Sequence, residues 1–215
     1  YRIMRQLNER TEMLAGVSHD LRTPLTRIRL QLALMRESPD SRAISSDISE
    51  MEEMIDGYIA FAAGEGDEVP QDIAIELVVK RLITQAQKSH KFDIVLSPVR
   101  DDIPEFPMRR NAIQRAFSNI ISNAIRYSSK TIVHIQKRND EVIITFDDNG
   151  SGIPEERRAD AIRPFIRLEE SRNRRTGGNG LGLSITSDIV LSHGGELTLG
   201  ESPLGGLRVS IKLPI

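Results

Sequence analysis

The chain has no cysteine and no tryptophan. Without thiols there can be no disulfide, no thiolate metal site and no cysteine nucleophile, and the composition fits a reducing compartment. Aromatic residues are only 4% of the 215 residues, too few to give nucleic-acid bases a stacking surface. Charge of one sign is also lacking. The 29 Lys and Arg nearly cancel the 31 Asp and Glu, and a formal net charge of -2 offers no field to nucleic acid or to a membrane surface. No apolar run approaches the roughly 20 residues that span a bilayer, and no signal peptide is visible. What is present is ordinary for a soluble protein: 39% hydrophobic and 28% charged residues, in a length that suits one large domain or two small ones.

The first residues, Tyr1 to Leu7, read as helix with no cap before them, as expected of a piece of a longer protein. Leu14, Val17, Leu21, Leu25, Ile28, Leu32 and Met35 then recur at threes and fours, so one helix is expected from about residue 3 to Arg36. Leu14, Leu21, Ile28 and Met35 fall seven apart, the period of a bundle. His19 lies off that seam and faces outwards, with Asp20, Thr23 and Pro24 beside it. Pro24 removes a backbone donor, but the apolar spacing continues past it, which predicts a kink and not an end. After a loop at 37–41 a second helix carries Ile44, Ile48, Met51, Ile55, Tyr58, Ile59 and Ala62, with Asp47, Glu50, Glu52, Glu53 and Asp56 opposite. Two such helices bury too little apolar surface alone. A homodimer with a four-helix bundle solves this; packing of the hairpin on the following domain is the alternative.

Residues 63–70, with two glycines, a proline and three acids, mark a boundary between a hairpin at 1–66 and a second domain at 67–215. In the second domain the pattern predicts helices at 72–88, 108–127 and 183–193 and a short strand at 92–96. It also predicts β-hairpins at 131–146, turning through 137–140, and at 196–213, turning around Gly205 and Gly206. Helices mixed with antiparallel strands argue for an α+β sandwich, one sheet backed by helices.

Four features of this second domain point to one ligand. Asn119 and Asn123 are four apart on a helix, and neutral amide oxygens suit a hard cation such as Mg²⁺ that phosphates already neutralise. Arg126 and Tyr127 follow within reach of phosphate oxygens. Asp148, Gly150 and Gly152 come directly after a strand, where a carboxylate accepts from an exocyclic amine and glycines let backbone approach a planar ligand. Gly178, Gly180, Leu181 and Gly182 run into a helix whose free amides and dipole favour phosphate. Between these loops lie Arg163, Pro164, Phe165, Ile166 and Arg167, then the basic stretch 172–175, which reads as a lid. Each has a plain alternative: a solvated helix face, an ordinary strand-to-helix turn, a flexible linker and a basic surface. His90, His134 and His193 stand outside these features and read as structural.

Taken together, Asn-x-x-x-Asn-Ala, Asp-x-Gly-x-Gly, Pro-Phe-x-Arg and Gly-x-Gly-Leu-Gly-Leu follow the order and rough spacing of N, G1, F and G2 boxes. The chain resembles the catalytic core of bacterial two-component sensor histidine kinases over essentially its whole length. Residues 18–25 look like an H box, and 15–30 look closest to EnvZ-like osmosensor kinases. The resemblance implies a dimerisation and phosphoacceptor hairpin followed by an ATP-binding domain of the Bergerat, or GHKL, type. It implies His19 as the nucleophile that takes the γ-phosphoryl group, Asp20 as general base, and Thr23 as the hydroxyl that helps dephosphorylate a response regulator.

The same resemblance implies Asn123 with Asn119 on Mg²⁺ and Arg126 and Tyr127 on phosphates. Asp148 would read the adenine amine, Gly150 and Gly152 would line the base pocket, and Phe165 would dock the lid. Arg167 would meet the γ-phosphate, and Gly178, Gly180, Leu181 and Gly182 would cradle the triphosphate. ATP and Mg²⁺ are the implied cofactors, and an OmpR-like response regulator receiver domain and a second copy of the chain the implied partners. The fragment itself is expected to be soluble, the cytoplasmic portion of an inner-membrane sensor protein. Asn179 departs from the threonine common between these glycines. Two other readings share the ATP fold. Chaperone, topoisomerase and mismatch-repair ATPases place a glutamate base where this chain has Asn119, and a degenerate binding scaffold would not keep all four boxes.

Overall fold

The computed structural model describes residues 23–34, 38, 40–42, 44, 45, 47–49, 51, 68–164, 166 and 180–215. The chain divides into two compact units, Tyr1–Gly66 with Ser171–Leu181, and Asp67–Glu170 with Gly182–Ile215. In the first unit residues 23–34 form helix α1, and the described positions between 40 and 51 are helical and form α2. Leu25 and Ile48 are buried there, while Ile28, Leu34, Ile44 and Met51 stay exposed. Ser38 and Ser41 bond each other's backbone at 2.8 and 3.0 Å, which sets the turn into α2.

The second unit is built on a mixed five-stranded sheet, ordered β2-β4-β5-β7-β6, and a two-stranded ribbon, β1-β3. The strands are β1 (Gln71–Ile73), β2 (Asp93–Leu96), β3 (Phe106–Met108), β4 (Lys130–Arg138), β5 (Glu141–Asp148), β6 (Glu196–Glu201) and β7 (Leu207–Pro214). The helices are α3 (Ile75–His90), α4 (Arg110–Tyr127), α5 (Glu155–Ala161) and α6 (Gly182–Ser192). Only β2 and β4 run parallel, and the rest of the large sheet is antiparallel.

Alternation along the strands decides where the core sits. On β5, Val142, Ile144 and Phe146 are buried, and on β7, Val209, Ile211 and Leu213. Helix α4 lays Ile113, Ala116, Phe117, Ile120, Ile121 and Ala124 on that face, and the Phe117 and Phe146 rings meet with centroids 5.7 Å apart. Helix α3 buries Ile75, Val78, Val79, Leu82, Ile83 and Ala86, the spacing of one helical stripe.

The structure differs from the expected elements in three places. The helix expected from residue 72 starts at Ile75, because Gln71–Ile73 pair with Phe106–Met108 as a ribbon. Met108 belongs to that ribbon and not to α4. The β4–β5 hairpin is longer than expected, with Lys137 and Arg138 still in the ladder opposite Val142 and Glu141. Backbone pairing carries these polar residues, so the turn shrinks to Asn139 and Asp140, with Asn139 left-handed at φ 55.

Helix α4 has no acidic residue in its first turn, and Arg109 at its N-cap makes no side-chain cap bond. Glu68 supplies the cap from outside, accepting from Asn111 N at 2.7 Å and Ala112 N at 3.2 Å. Replacing Glu68 with Ala should therefore cost about 1 kcal/mol. The check is urea unfolding, where the midpoint should fall at unchanged slope. An unmoved midpoint would show that the cap is energetically idle.

Candidate functional site

Helix spacing puts Asn119 and Asn123 one turn apart on a single face of α4. Both are half-buried, turned to the start of α6. A Cβ placed on Gly182 would lie 3.6 Å from Asn123 Nδ2 and 3.8 Å from both Asn123 Oδ1 and Asn119 Cβ. Asn119 Nδ2 donates to the Gly182 carbonyl at 3.3 Å. The Thr186 hydroxyl lies 2.7 Å from the same carbonyl and 3.3 Å from that of Ala116. Thus the asparagine pair and the last glycine of the Gly-rich loop, 59 residues apart at Asn123 and Gly182, form one surface. The bond to Gly182 engages the Asn119 amide nitrogen and leaves its oxygen as the group's acceptor.

Arg126 and Tyr127 follow Asn123 by three and four residues, in the last turn of α4, half-buried and 41% exposed respectively. Ser128 ends the helix, its backbone N and its hydroxyl both donating to Ala124 O, at 2.9 and 2.7 Å.

Asp148 is the last residue of β5 and is buried, at 9% exposure. Its Oδ1 accepts from Gly150 N at 2.8 Å and from Leu207 N at 3.0 Å. Among the described residues Oδ2 has no hydrogen-bond partner, so the carboxylate is held by one oxygen and offers the other. The glycines beside it also serve close contacts within the protein. A Cβ on Gly150 would collide with the Tyr127 carbonyl and stand 3.1 Å from Asp148 Oδ1. Gly152 takes φ +68 and faces the Gly206 carbonyl, 3.3 Å from where a Cβ would sit. These glycines let protein backbone approach protein backbone. Gly206, Leu207 and Arg208 were not singled out by sequence reasoning. Their signal is the Gly205-Gly206 pair, legible there only as a hairpin turn.

The remaining expected residues fall as follows. Thr23 is helical and exposed in α1. His19 and Asp20, the expected acceptor and base, lie outside the described residues, as do Phe165, Arg167 and Gly178. Gly180 is left-handed at φ 63, and Leu181 is buried at 3% exposure. Of the three other histidines, His193 is structural: Nδ1 bonds Ile189 O at 2.7 Å, and Nε2 accepts from Arg109 N at 3.1 Å. His134 lies 3.7 Å from Asp147, and His90 ends α3, exposed.

Residues 108–215 match the family of histidine kinase-, DNA gyrase B- and HSP90-like ATPases. Residues 9–66 match the His Kinase A phospho-acceptor domain. Sensor histidine kinase GtrS of Pseudomonas aeruginosa is 31% identical over 214 residues, covering 99% of this chain and 44% of that protein. Sensor histidine kinase CpxA of Escherichia coli is 32% identical over 222 residues, covering 98% of this chain and 48% of that protein. The chain therefore spans just under half the length of these relatives. Full-length ShkA, crystallised with AMPPNP, has the same fold, with TM-score 0.72 and 19% identity over 94% of this chain and 45% of that one. With an ATPase-family match over half of its length and a phospho-acceptor match before it, the chain belongs to the sensor histidine kinases and is a two-component catalytic core.

Proposed function

We propose that this chain phosphorylates itself on His19 from ATP and passes the phosphoryl group to an aspartate of a response regulator. The carrying observation is that one chain pairs a phospho-acceptor match over 9–66 with an ATPase match over 108–215. In this reading residues 1–66 are the acceptor hairpin and 67–215 the nucleotide domain. A ring nitrogen of His19 attacks the γ-phosphorus, the bond to the β–γ bridging oxygen breaks, and ADP leaves. Asp20 takes the ring proton and orients the imidazole. Catalysis is mainly positioning and charge neutralisation.

Asp148 reads the adenine 6-amino group with its unengaged oxygen, supported by the two amides that hold its other oxygen. Arg126, Tyr127, Gly180, Leu181 and Gly182 meet the phosphates, with Gly178 and Arg167 completing that set. Asn123 and Asn119 would hold Mg²⁺ through their amide oxygens. Their chemistry fits, since both amides lie beside Gly182 and the Asn119 nitrogen is engaged there, and Mg²⁺ when bound would offset phosphate charge. A homodimer is supported by exposed apolar residues of the hairpin: Ile28 is 40%, Ile44 45% and Met51 46% exposed. The partner is a receiver domain, of the OmpR-like class by resemblance, and the setting is the cytoplasmic side of an inner-membrane sensor. Among the described residues no helix is long and apolar enough to cross a membrane.

His19→Ala should reduce labelling from γ-labelled ATP to background while nucleotide affinity stays within about twofold. Acid-labile label persisting in that variant would place the acceptor elsewhere. The same hairpin is expected to serve the opposing reaction, in which water attacks the regulator's phosphoaspartate and inorganic phosphate leaves. Thr23 is exposed on α1, where its hydroxyl can help place a water against the phosphorylated regulator. Thr23→Ala should spare autophosphorylation and slow regulator dephosphorylation by roughly tenfold or more. Equal rates for the two proteins in that assay would remove Thr23 from the mechanism.

A further inference from the structure

Asp147 and Asp148 are chain neighbours whose side chains leave opposite faces of β5. Both are buried, at 2% and 9% exposure. A buried carboxylate needs hydrogen-bond donors to replace its lost hydration. Arg208 on β7 provides them, with Nε donating to Asp147 Oδ1 at 2.7 Å and Nη2 to Oδ2 at 2.8 Å. This is the two-bond fork that guanidinium forms best with a carboxylate. His134 Nε2 stands 3.7 Å from Oδ2, too far for a hydrogen bond, so Arg208 holds the group. The hydrogen bonds to Asp147 raise the Arg208 pKa above its ordinary value, and the guanidinium stays charged.

Asp147 and Arg208 are direct partners in the antiparallel register of β5 and β7. One residue further along each strand, on the other face, the Leu207 amide donates to Asp148 Oδ1. The fork and the amide are thus two sides of one register. A slip or splay of β7 that broke the fork would also carry the amide away from Asp148.

We propose that Arg208 is a positioning residue for base selection, its fork to Asp147 fixing the register that keeps Asp148 anchored by one oxygen with the other aimed at a 6-amino purine. This rests on the reading of Asp148 as the residue that accepts from adenine. Held in that way, the carboxylate attracts an amine at the purine 6-position and repels an oxo group there. Loosened, it can turn away, and the preference falls. The effect is on selectivity and not on the phosphoryl chemistry.

The experiment compares ATP and inosine triphosphate binding to the full chain, with a melting temperature for every variant. Asp148→Asn tests the underlying reading. Arg208→Lys keeps the charge but loses the fork. The double variant Asp147→Leu with Arg208→Met removes both charges together and so leaves no orphaned carboxylate in the sheet. We expect Arg208→Lys and the double variant to lower the preference for ATP over inosine triphosphate by about tenfold, the size of one hydrogen bond to a charged group. Most of the change should come from weaker ATP binding. A role in stability alone would lower the melting temperature, or weaken both nucleotides alike, and leave the ratio unchanged; that result overturns the proposal. If Asp148→Asn loses the preference while the Arg208 variants keep it, only the positioning role falls. If Asp148→Asn itself keeps the preference, the base-reading role of Asp148 falls, and this proposal with it.

Discussion

Three pieces of backbone converge at the end of β5 with almost no side chain between them. A Cβ on Gly206 would overlap the Asp148 carboxylate, the Asp148 carbonyl and the Gly150 amide, and one on Gly150 would overlap the Tyr127 carbonyl. The separation that glycine allows is what lets the Gly150 and Leu207 amides reach the same carboxylate oxygen. An anion held by two backbone donors has little rotational freedom, and its other oxygen keeps a fixed direction. The same closeness puts the loop at 149–152 against the last turn of α4. Asp148 and the pair Arg126 and Tyr127 are thereby set relative to each other by main chain, which is stiffer than any side-chain contact. A methyl group at either glycine would open this junction, and most of the site would lose its reference point.

Helix α4 is the other fixed member. Its 18 residues span about 27 Å, yet the residues proposed to meet ligand all lie in its second half. Aiming one end of a rod requires holding the other. Glu68 ties down the first-turn amides, and His193 accepts from Arg109 at the same end. Phe117 against Phe146 fixes the middle, where Asn119 bonds Gly182 and Thr186 bonds Ala116. Helix α6 is therefore tied to α4 near both of its own ends, by its first residues and by the turn after its last. These ties are local polar bonds laid over a continuous apolar contact. The apolar contact supplies most of the stability, and the polar bonds set the axial position.

Much of this could be read from the chain. The period of two in Val142, Ile144 and Phe146 gave β5 its inward face, and the four-residue spacing of Asn119 and Asn123 gave α4 its polar one. Contacts between distant residues could not be read. Glu68 caps a helix that begins 42 residues later, and nothing local marks it as a cap. The β1–β3 ribbon joins segments 35 residues apart, and Asp72 opposite Pro107 carries no alternating pattern. Asp147 looks like one more polar residue at the end of a strand. Its burial follows only from Arg208, 61 residues on. Gly150 and Gly152 were legible as special positions, but the backbone they let approach, at Tyr127 and Gly206, lies elsewhere in the chain and could not be read.

The donors offered by α4 also constrain the chemistry. Asn119 and Asn123 are carboxamides, with no charge of their own to bind a free divalent cation tightly. In the proposed reading the phosphates supply most of the attraction and the amides supply direction, so the metal arrives with the nucleotide. A carboxamide also takes no proton from water at neutral pH, which leaves Asn119 unable to act as a base for hydrolysis. Such a site holds a phosphoryl donor without supplying the nucleophile. The nucleophile must then come from another part of the chain, and a histidine beside an aspartate on the acceptor hairpin answers that need. In the proposed reading donor and acceptor lie on separate domains, and transfer would depend on how often the two meet. That dependence gives a signal something to act on without altering either site.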